Sequence, residues 1–166
     1  MQQFGQVTEL LRKNHYTERT AFHMSKKTNT ISFTKAEKKR LETLERRYRK
    51  AARTQFEARV AYYHRITGGH YTSITIRDQK SRWGSCSSSG TLSFNYRLIF
   101  APPIILDYVV VHELCHLTHM NHSKDFWNMV AAVMPDYKVH KQWLREHGQE
   151  LTLEAHLTRI GIPLTL

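Results

Sequence analysis

His112-Glu113-Leu114-Cys115-His116 sets two imidazoles four residues apart with a carboxylate directly after the first. On a helix, positions i and i+4 are about 40° apart in projection, so both rings point at one spot. Two ring nitrogens can then approach a single divalent ion at roughly 2.0–2.1 Å. Glu113 stands beside that spot, placed to accept a proton from water polarised by the ion rather than to bind the ion itself. Leu114 points to the opposite side of such a helix and reads as core.

This H-E-x-x-H spacing is the one zinc hydrolases use. A catalytic zinc takes three protein ligands and a water, so a third ligand is required. His122, six residues past His116, is the best candidate, with the chain leaving the helix and turning back at Met120-Asn121. His119 is a competitor, although its spacing carries it along the helix surface. A carboxylate from Glu146, Glu150 or Glu154 is the other possibility. The remaining histidines (His15, His23, His64, His70, His140, His147 and His156) read as ordinary surface or core residues. Cys115 reads as core packing and Cys86 as structural.

These residues need a scaffold, and the flanking sequence suggests one. Pro102-Pro103 breaks any preceding strand and can open a helix at its first turn. The spacing predicts that helix from Ile104 to about His119, ending near Asn121, a residue that tolerates left-handed geometry. Val109-Val110-Val111 are weak helix formers, so burial must hold it together. Ser123 can cap the next helix, with Asp125 suited to its dipole and Phe126, Met129, Val130 and Val133 on one face. Met134-Pro135-Asp136 ends that helix, and a further one is predicted from about Val139 to Glu146, stopped by Gly148. In the tail, 149–166, the leucines fit either period and Pro163 discourages a helix.

Upstream, Tyr71 to Asp78 alternates with period two and predicts a half-buried strand. A polar loop, 79–90, follows, and Thr91 to Leu98 alternates again. Two strands with a Ser/Gly connection predict an antiparallel pair in a small sheet. Before them, Thr34-Lys35-Ala36-Glu37 fits a capping box. Apolar or aromatic residues then recur at Leu41, Leu44, Tyr48, Ala52, Phe56, Val60 and Tyr63, steps of three or four that line one helix face. Gly68-Gly69 supplies the stop, giving one helix of roughly 32 residues. In residues 1–33, Leu10-Leu11 suggests a short helix and Thr28 to Phe33 a loop or edge strand.

The whole chain sets bounds on these readings. Its 166 residues suit one domain, and 40% hydrophobic residues support a real core. The predicted layout is a single domain over 1–166: an N-terminal extension (1–33), a long basic helix (34–67), a catalytic core (70–148) and a C-terminal tail (149–166). Two cysteines make no disulfide framework, and Met1 to Gln6 contains no apolar run. The most apolar stretch, Leu98 to Val111, is interrupted by Pro102, Pro103 and Asp107, so no spanning helix is expected. The expectation is a soluble, cytoplasmic protein without membrane association. The net charge is +11, and residues 35–66 hold eleven Lys/Arg against four Glu, +7 of that total. A solvated helix face explains this clustering most simply. A grip on nucleic acid is the sharper alternative, and no RNA-reading or helix-turn-helix motif supports it.

Lys80-Ser81-Arg82-Trp83-Gly84-Ser85-Cys86, Asn95-Tyr96-Arg97-Leu98, Pro102-Pro103, the H-E-x-x-H run, His122-Ser123-Lys124 and Phe126-Trp127 follow one another in order. Over roughly residues 35–148 this series resembles the YgjP-like metal-dependent hydrolases, a zincin-type family. The resemblance implies an α+β minimal zincin-like fold, a small mostly antiparallel sheet packed on the active-site helix and preceded here by the long helix. It also implies one Zn2+ bound by His112, His116 and His122, with Glu113 as general base.

The family is generally labelled metallopeptidase, and members have also been described as hydrolysing nucleoside triphosphates, UTP in particular, to monophosphate and diphosphate. Both reactions use metal-activated water. A peptidase needs a strand edge and an oxyanion donor, for which Leu92 to Leu98 and one of Tyr96, Tyr137 or His119 are candidates. A phosphoanhydride hydrolase needs fixed cations, for which Lys80, Arg82, Arg97 and Lys124 are candidates. Arg82 and Arg97 could equally tie the loop to the sheet, and Trp83 reads as packing. The strand-then-helix order favours a zinc metallopeptidase narrowly over a UTP pyrophosphatase. A nucleic-acid-associated protease of SprT-like type is a third reading. It is disfavoured because no cysteine follows Cys115 to build the zinc ribbon those zincins carry.

Overall fold

The computed structural model describes residues 34–162, and the readings for residues 1–33 and for Pro163 lie outside them. Helix α1 (Lys35–Thr67) starts at the capping box. The Thr34 N–H donates to Glu37 Oε2 at 2.7 Å, and Thr34 Oγ1 accepts from the Glu37 N–H at 3.3 Å. It stops at Gly68, whose φ of 69° places it in the left-handed region where a side chain is strained. The predicted apolar face packs inward: Ala52, Phe56, Val60 and Tyr63 are buried, and Leu41, Leu44 and Tyr48 are partly so. Phe56 stacks on Phe94 of the sheet at 4.5 Å between ring centroids.

The sheet differs from expectation in its pairing. Its strands are β1 (Ser73–Arg77), β2 (Gly84–Cys86) and β3 (Thr91–Asn95), in the order β1-β3-β2. β1 and β3, predicted to be an antiparallel pair, run parallel, with Ser73 opposite Thr91 and Arg77 opposite Asn95. The antiparallel partner of β3 is β2, with Gly84 opposite Phe94 and Cys86 opposite Leu92. The Ser/Gly turn therefore closes a hairpin between β2 and β3, through the Gly90 N–H bonded to the Ser87 carbonyl at 2.9 Å. Gly90 has φ +79°, and a Cβ there would lie 2.9 Å from the His70 carbonyl oxygen, so the turn depends on its missing side chain. It follows that β3 is the central strand and cannot be the edge suggested for Leu92 to Leu98; among the described residues, β2 is the edge on that side.

The second strand also ends early. Asn95 is buried, and its side chain accepts from the Arg97 N–H at 3.1 Å while donating to the Gln79 and Arg82 carbonyls at 2.7 and 3.3 Å. That cap turns Tyr96–Phe100 into a 3-10 segment and pins the 79–82 loop to it.

Helix α2 (Pro103–Cys115) has Pro103 in its first turn, and its run from Ile105 to Val111 is wholly buried, the support its valines need. It is shorter than predicted, its regular α-helix ending at Cys115 rather than near Asn121, although His116 keeps right-handed helical angles (φ −67°, ψ −19°) and a looser turn carries the chain on to His119. No non-glycine residue among those described has positive φ, so Asn121 does not make a left-handed stop. The Cys115 carbonyl instead accepts from the Thr118 and His119 N–H groups at 3.2 and 3.0 Å. Helices α3 (Lys124–Val133) and α4 (Tyr137–His147) follow, the first capped by Ser123 as expected. The ambiguous tail forms a second 3-10 turn (Gly148–Glu150) and α5 (Leu153–Arg159), which buries Leu153 and Leu157. Arg59 of α1 pairs with the buried Asp107 of α2, and the Tyr63 hydroxyl donates to the same carboxylate at 3.2 Å. No helix among the described residues is long and apolar enough to cross a membrane.

Candidate active site

The early end of α2 makes the site. His112 lies in the last turn of α2 and His116 caps it, their ring centroids 4.9 Å apart. After the turn through His119 the chain folds back before Ser123 starts α3, and this return delivers His122. Nε2 of His122 stands 3.0 Å from Nε2 of His112 and 3.2 Å from Nε2 of His116. Nitrogens held at 2.0–2.1 Å from a tetrahedral ion are about 3.3 Å apart, so His122 already stands close to a ligand spacing from each of the other two, and all three donors lie within 4.8 Å of one another. His116 is buried, His112 intermediate and His122 exposed, so the cluster opens toward solvent on the His122 side.

The protonation pattern agrees with that use. His116 Nδ1 lies 2.9 Å from the His119 carbonyl oxygen. A carbonyl only accepts, so Nδ1 carries the proton and Nε2 keeps a free lone pair. Burial, then the like charges of His116, His122 and Lys141, pushes His112 down to about 3. Burial also lowers His116. Neutral imidazoles are what a metal needs. Nδ1 of His112 is buried without a hydrogen-bond partner. A set of three imidazole nitrogen donors fits one borderline-soft divalent ion.

Glu113 is only 4% exposed, and burial pushes its carboxyl up to about 8. β2 crosses it at the closest possible range: a Cβ added to Gly84 would lie 2.5 Å from Glu113 Oε1 and 2.7 Å from its Cγ. Beside this contact opens a cleft of about 200 Å³ lined by Trp83, Gly84, Tyr108, Val109, His112, Glu113 and Leu144. Burial, then the Glu113 and Tyr137 charges, raises the Tyr108 hydroxyl to about 12, so it stays a proton donor at neutral pH.

The structure thus brings His112, His116, His122 and Glu113 together. His119, a rival ligand on sequence grounds, contributes its backbone carbonyl to His116. Glu146, a rival carboxylate, accepts from the Gln142 amide. Arg97 is committed elsewhere, its Nε 2.8 Å from Asp78, which also lies 3.7 Å from Arg49. Lys80, Arg82 and Lys124 are exposed, and no described contact sets them against the histidines. Of the proposed donors, Tyr96 is buried beneath the Arg49 guanidinium, 4.6 Å from the ring.

Some site residues carried no signal that sequence reasoning used. Tyr108 sits one turn before His112 on the same helix face, a spacing that could have flagged it. Phe126 is fully buried and touches all three histidine rings at 4.5–4.9 Å between centroids. Trp127 stacks on His122 at 5.6 Å. Both lie in the first turns of α3, which Ser123 starts directly after His122, so the cap fixes their place beside the third histidine.

Comparison with known proteins is consistent with this arrangement. The crystal structure of the metallopeptidase zymogen of Pyrococcus abyssi abylysin shares the fold, with a TM-score of 0.50 and 24% identity over 57% of this chain and 93% of that one. No curated protein matches. The family model for the YgjP-like metallopeptidase domain matches residues 3–147, and with the convergent three-histidine cluster it makes the assignment: the chain belongs to the YgjP-like family and is a metal-dependent hydrolase.

Proposed function

We propose that the protein is a zinc-dependent peptidase, with His112, His116 and His122 as the metal ligands and Glu113 as the general base. The observation that carries this reading is the passage of edge strand β2 over Glu113, where Gly84 leaves no space for a side chain. An extended peptide can add to the free edge of a sheet by main-chain hydrogen bonds, with its side chains falling alternately into pockets. The largely apolar cleft beside Gly84 would take such a side chain while the scissile carbonyl lies over the histidines.

When bound, the ion supplies Lewis acidity to the carbonyl and to an attacking water. Glu113 accepts the proton of that water and hands it to the leaving nitrogen. Burial raises its basicity toward neutral pH, where a base works best. Tyr108, protonated and on the wall of the cleft, is placed to donate to the oxygen on which charge develops. Phe126 and Trp127 fix the histidine rings and exclude water behind them.

Hydrolysis of a nucleoside triphosphate such as UTP is the second reading. It draws on Lys124, two residues after His122, and on Arg82 beside Trp83, both exposed and outside any ion pair among the described residues. Nucleic-acid association through α1 is the third. Against it, Arg49, Arg53 and Arg59 of that helix are paired with Glu45, Glu57 and Asp107.

The deciding experiment incubates the full chain with a denatured protein and with a nucleoside triphosphate panel, each with and without chelator, alongside Glu113→Gln. The reading expects chelator-sensitive peptide cleavage. It also expects Glu113→Gln to keep its zinc while losing at least about 100-fold in rate. Triphosphate cleavage without peptide cleavage would replace it with the second reading.

A further inference from the structure

Trp127 faces more than His122. It also stacks on Tyr137 at 5.1 Å, with the rings 17° apart, and these two aromatics form one wall of a second cavity of about 370 Å³. The rest of its lining is one face of α4, the helix Tyr137 begins: Lys138, Lys141, Gln142 and Arg145, positions spaced i, i+3, i+4 and i+7. Three cations therefore converge on one cavity with no acidic residue in its lining. Glu146, on the same helix, accepts from the Gln142 amide, and none of the three cations is in an ion pair among the described residues. The Lys141 ammonium is held 4.5 Å from the centre of the Trp127 ring, so the aromatic wall fixes one charge in place.

Like charges gathered without counter-ions repel one another, and a bound anion relieves the repulsion. Arginine adds a planar fork matched to a carboxylate, and the glutamine amide adds a neutral donor. We propose that this cavity is a substrate subsite of the peptidase that takes the carboxylate of a peptide, either an acidic side chain or the chain's own C-terminus. The inference rests on the peptide reading above and adds to it the charge preference of the substrate.

The cavity adjoins the histidines: Trp127, which lines it, also stacks on His122 at 5.6 Å between centroids, so a peptide held over the histidines can reach it within a few residues.

The test measures binding rather than turnover. Full-chain Glu113→Gln, free of metal, is titrated calorimetrically with N-acetylated, C-amidated hexapeptides. Each carries one Glu or one Gln, scanned through the sequence. A second arm uses the Gln peptides with a free C-terminal carboxylate, and a third uses inorganic pyrophosphate. Two variant backgrounds, Lys138→Gln alone and Lys138→Gln/Lys141→Gln/Arg145→Gln, are compared, with the Gln peptide as the control for folding.

The Glu peptide or the free-carboxylate peptide is expected to bind several-fold tighter than its neutral counterpart, with each cation contributing about two- to fivefold. The preference should weaken in moderate salt, shrink in the single variant and disappear in the triple one. Which arm responds identifies the carboxylate. Equal affinity for charged and neutral peptides, or a preference that survives the triple variant, overturns the subsite and leaves the peptidase reading standing. Cation-dependent binding of pyrophosphate with no binding of any peptide overturns both.

Discussion

His116 points its Nδ1 at the backbone carbonyl of His119, 2.9 Å away, and thereby turns its Nε2 toward His112 and His122. Two histidines three residues apart thus have separate duties, one offering a ring and the other a peptide oxygen. His112→Ala, His116→Ala and His122→Ala should each weaken zinc affinity by more than about 100-fold, whereas His119→Ala, which keeps its carbonyl, should change it by less than about tenfold. Competition against a chromogenic chelator measures all four. An equal loss in His119→Ala would make its ring a ligand.

Gly84→Ala tests the closeness of β2 to Glu113. The added methyl meets the carboxylate at 2.5 Å, so either strand or side chain must shift. The expected cost is about 1–3 kcal/mol in urea unfolding, with zinc retained and hydrolysis reduced. Loss of zinc at the same time would show that β2 supports the histidines rather than the base.

The ion pair between Arg59 and Asp107 joins α1 to the helix that carries the histidines. Its two side chains are 35% and 9% exposed, so removing the arginine strands a carboxylate with little access to water. Arg59→Leu should destabilise the fold by about 2–4 kcal/mol, a range reduced for solvent at the arginine end. Tyr63→Phe, which removes one hydrogen bond to the same carboxylate, should cost about 1 kcal/mol. Denaturant midpoints separate the two, and near-equal losses would contradict the buried-charge account.

Burial lowers His140 below its ordinary value of 6.5, against the opposing pull of Asp136 and Asp107. The unfolded chain therefore binds protons more readily than the folded one as pH drops below 6.5. Stability is complete above that value and declines beneath it. His140→Leu should narrow the gap in thermal midpoint between pH 7.5 and pH 5 for metal-free protein. An unchanged gap would assign the acid sensitivity to other histidines.

The parts of this molecule written in local sequence were readable. The capping box at Thr34-Glu37, the three-and-four spacing from Leu41 to Tyr63 and the glycine at position 68 define α1 without reference to anything distant. His112 and His116 are likewise neighbours by helical geometry alone. What escaped was set by contacts between remote segments. β2 is three residues, Gly84-Ser85-Cys86, with no alternation to mark it, and missing it reversed the relation between β1 and β3. The end of α2 was placed too late because nothing in the run from His116 to Asn121 is a strong helix breaker, and the turn is set by hydrogen bonds back to Cys115. The wall of Trp127 and Tyr137 arises only when α4 folds against α3, which no periodicity records.

The insertion of β3 between its two partners also bears on how the chain assembles. Among the described residues β1 has β3 as its strand partner, and β3 is synthesised after both β1 and β2, so the two ladders close only once residues 91–95 have been made. A ribosome-bound chain stalled before residue 91 would hold β1 and β2 without the strand that joins them.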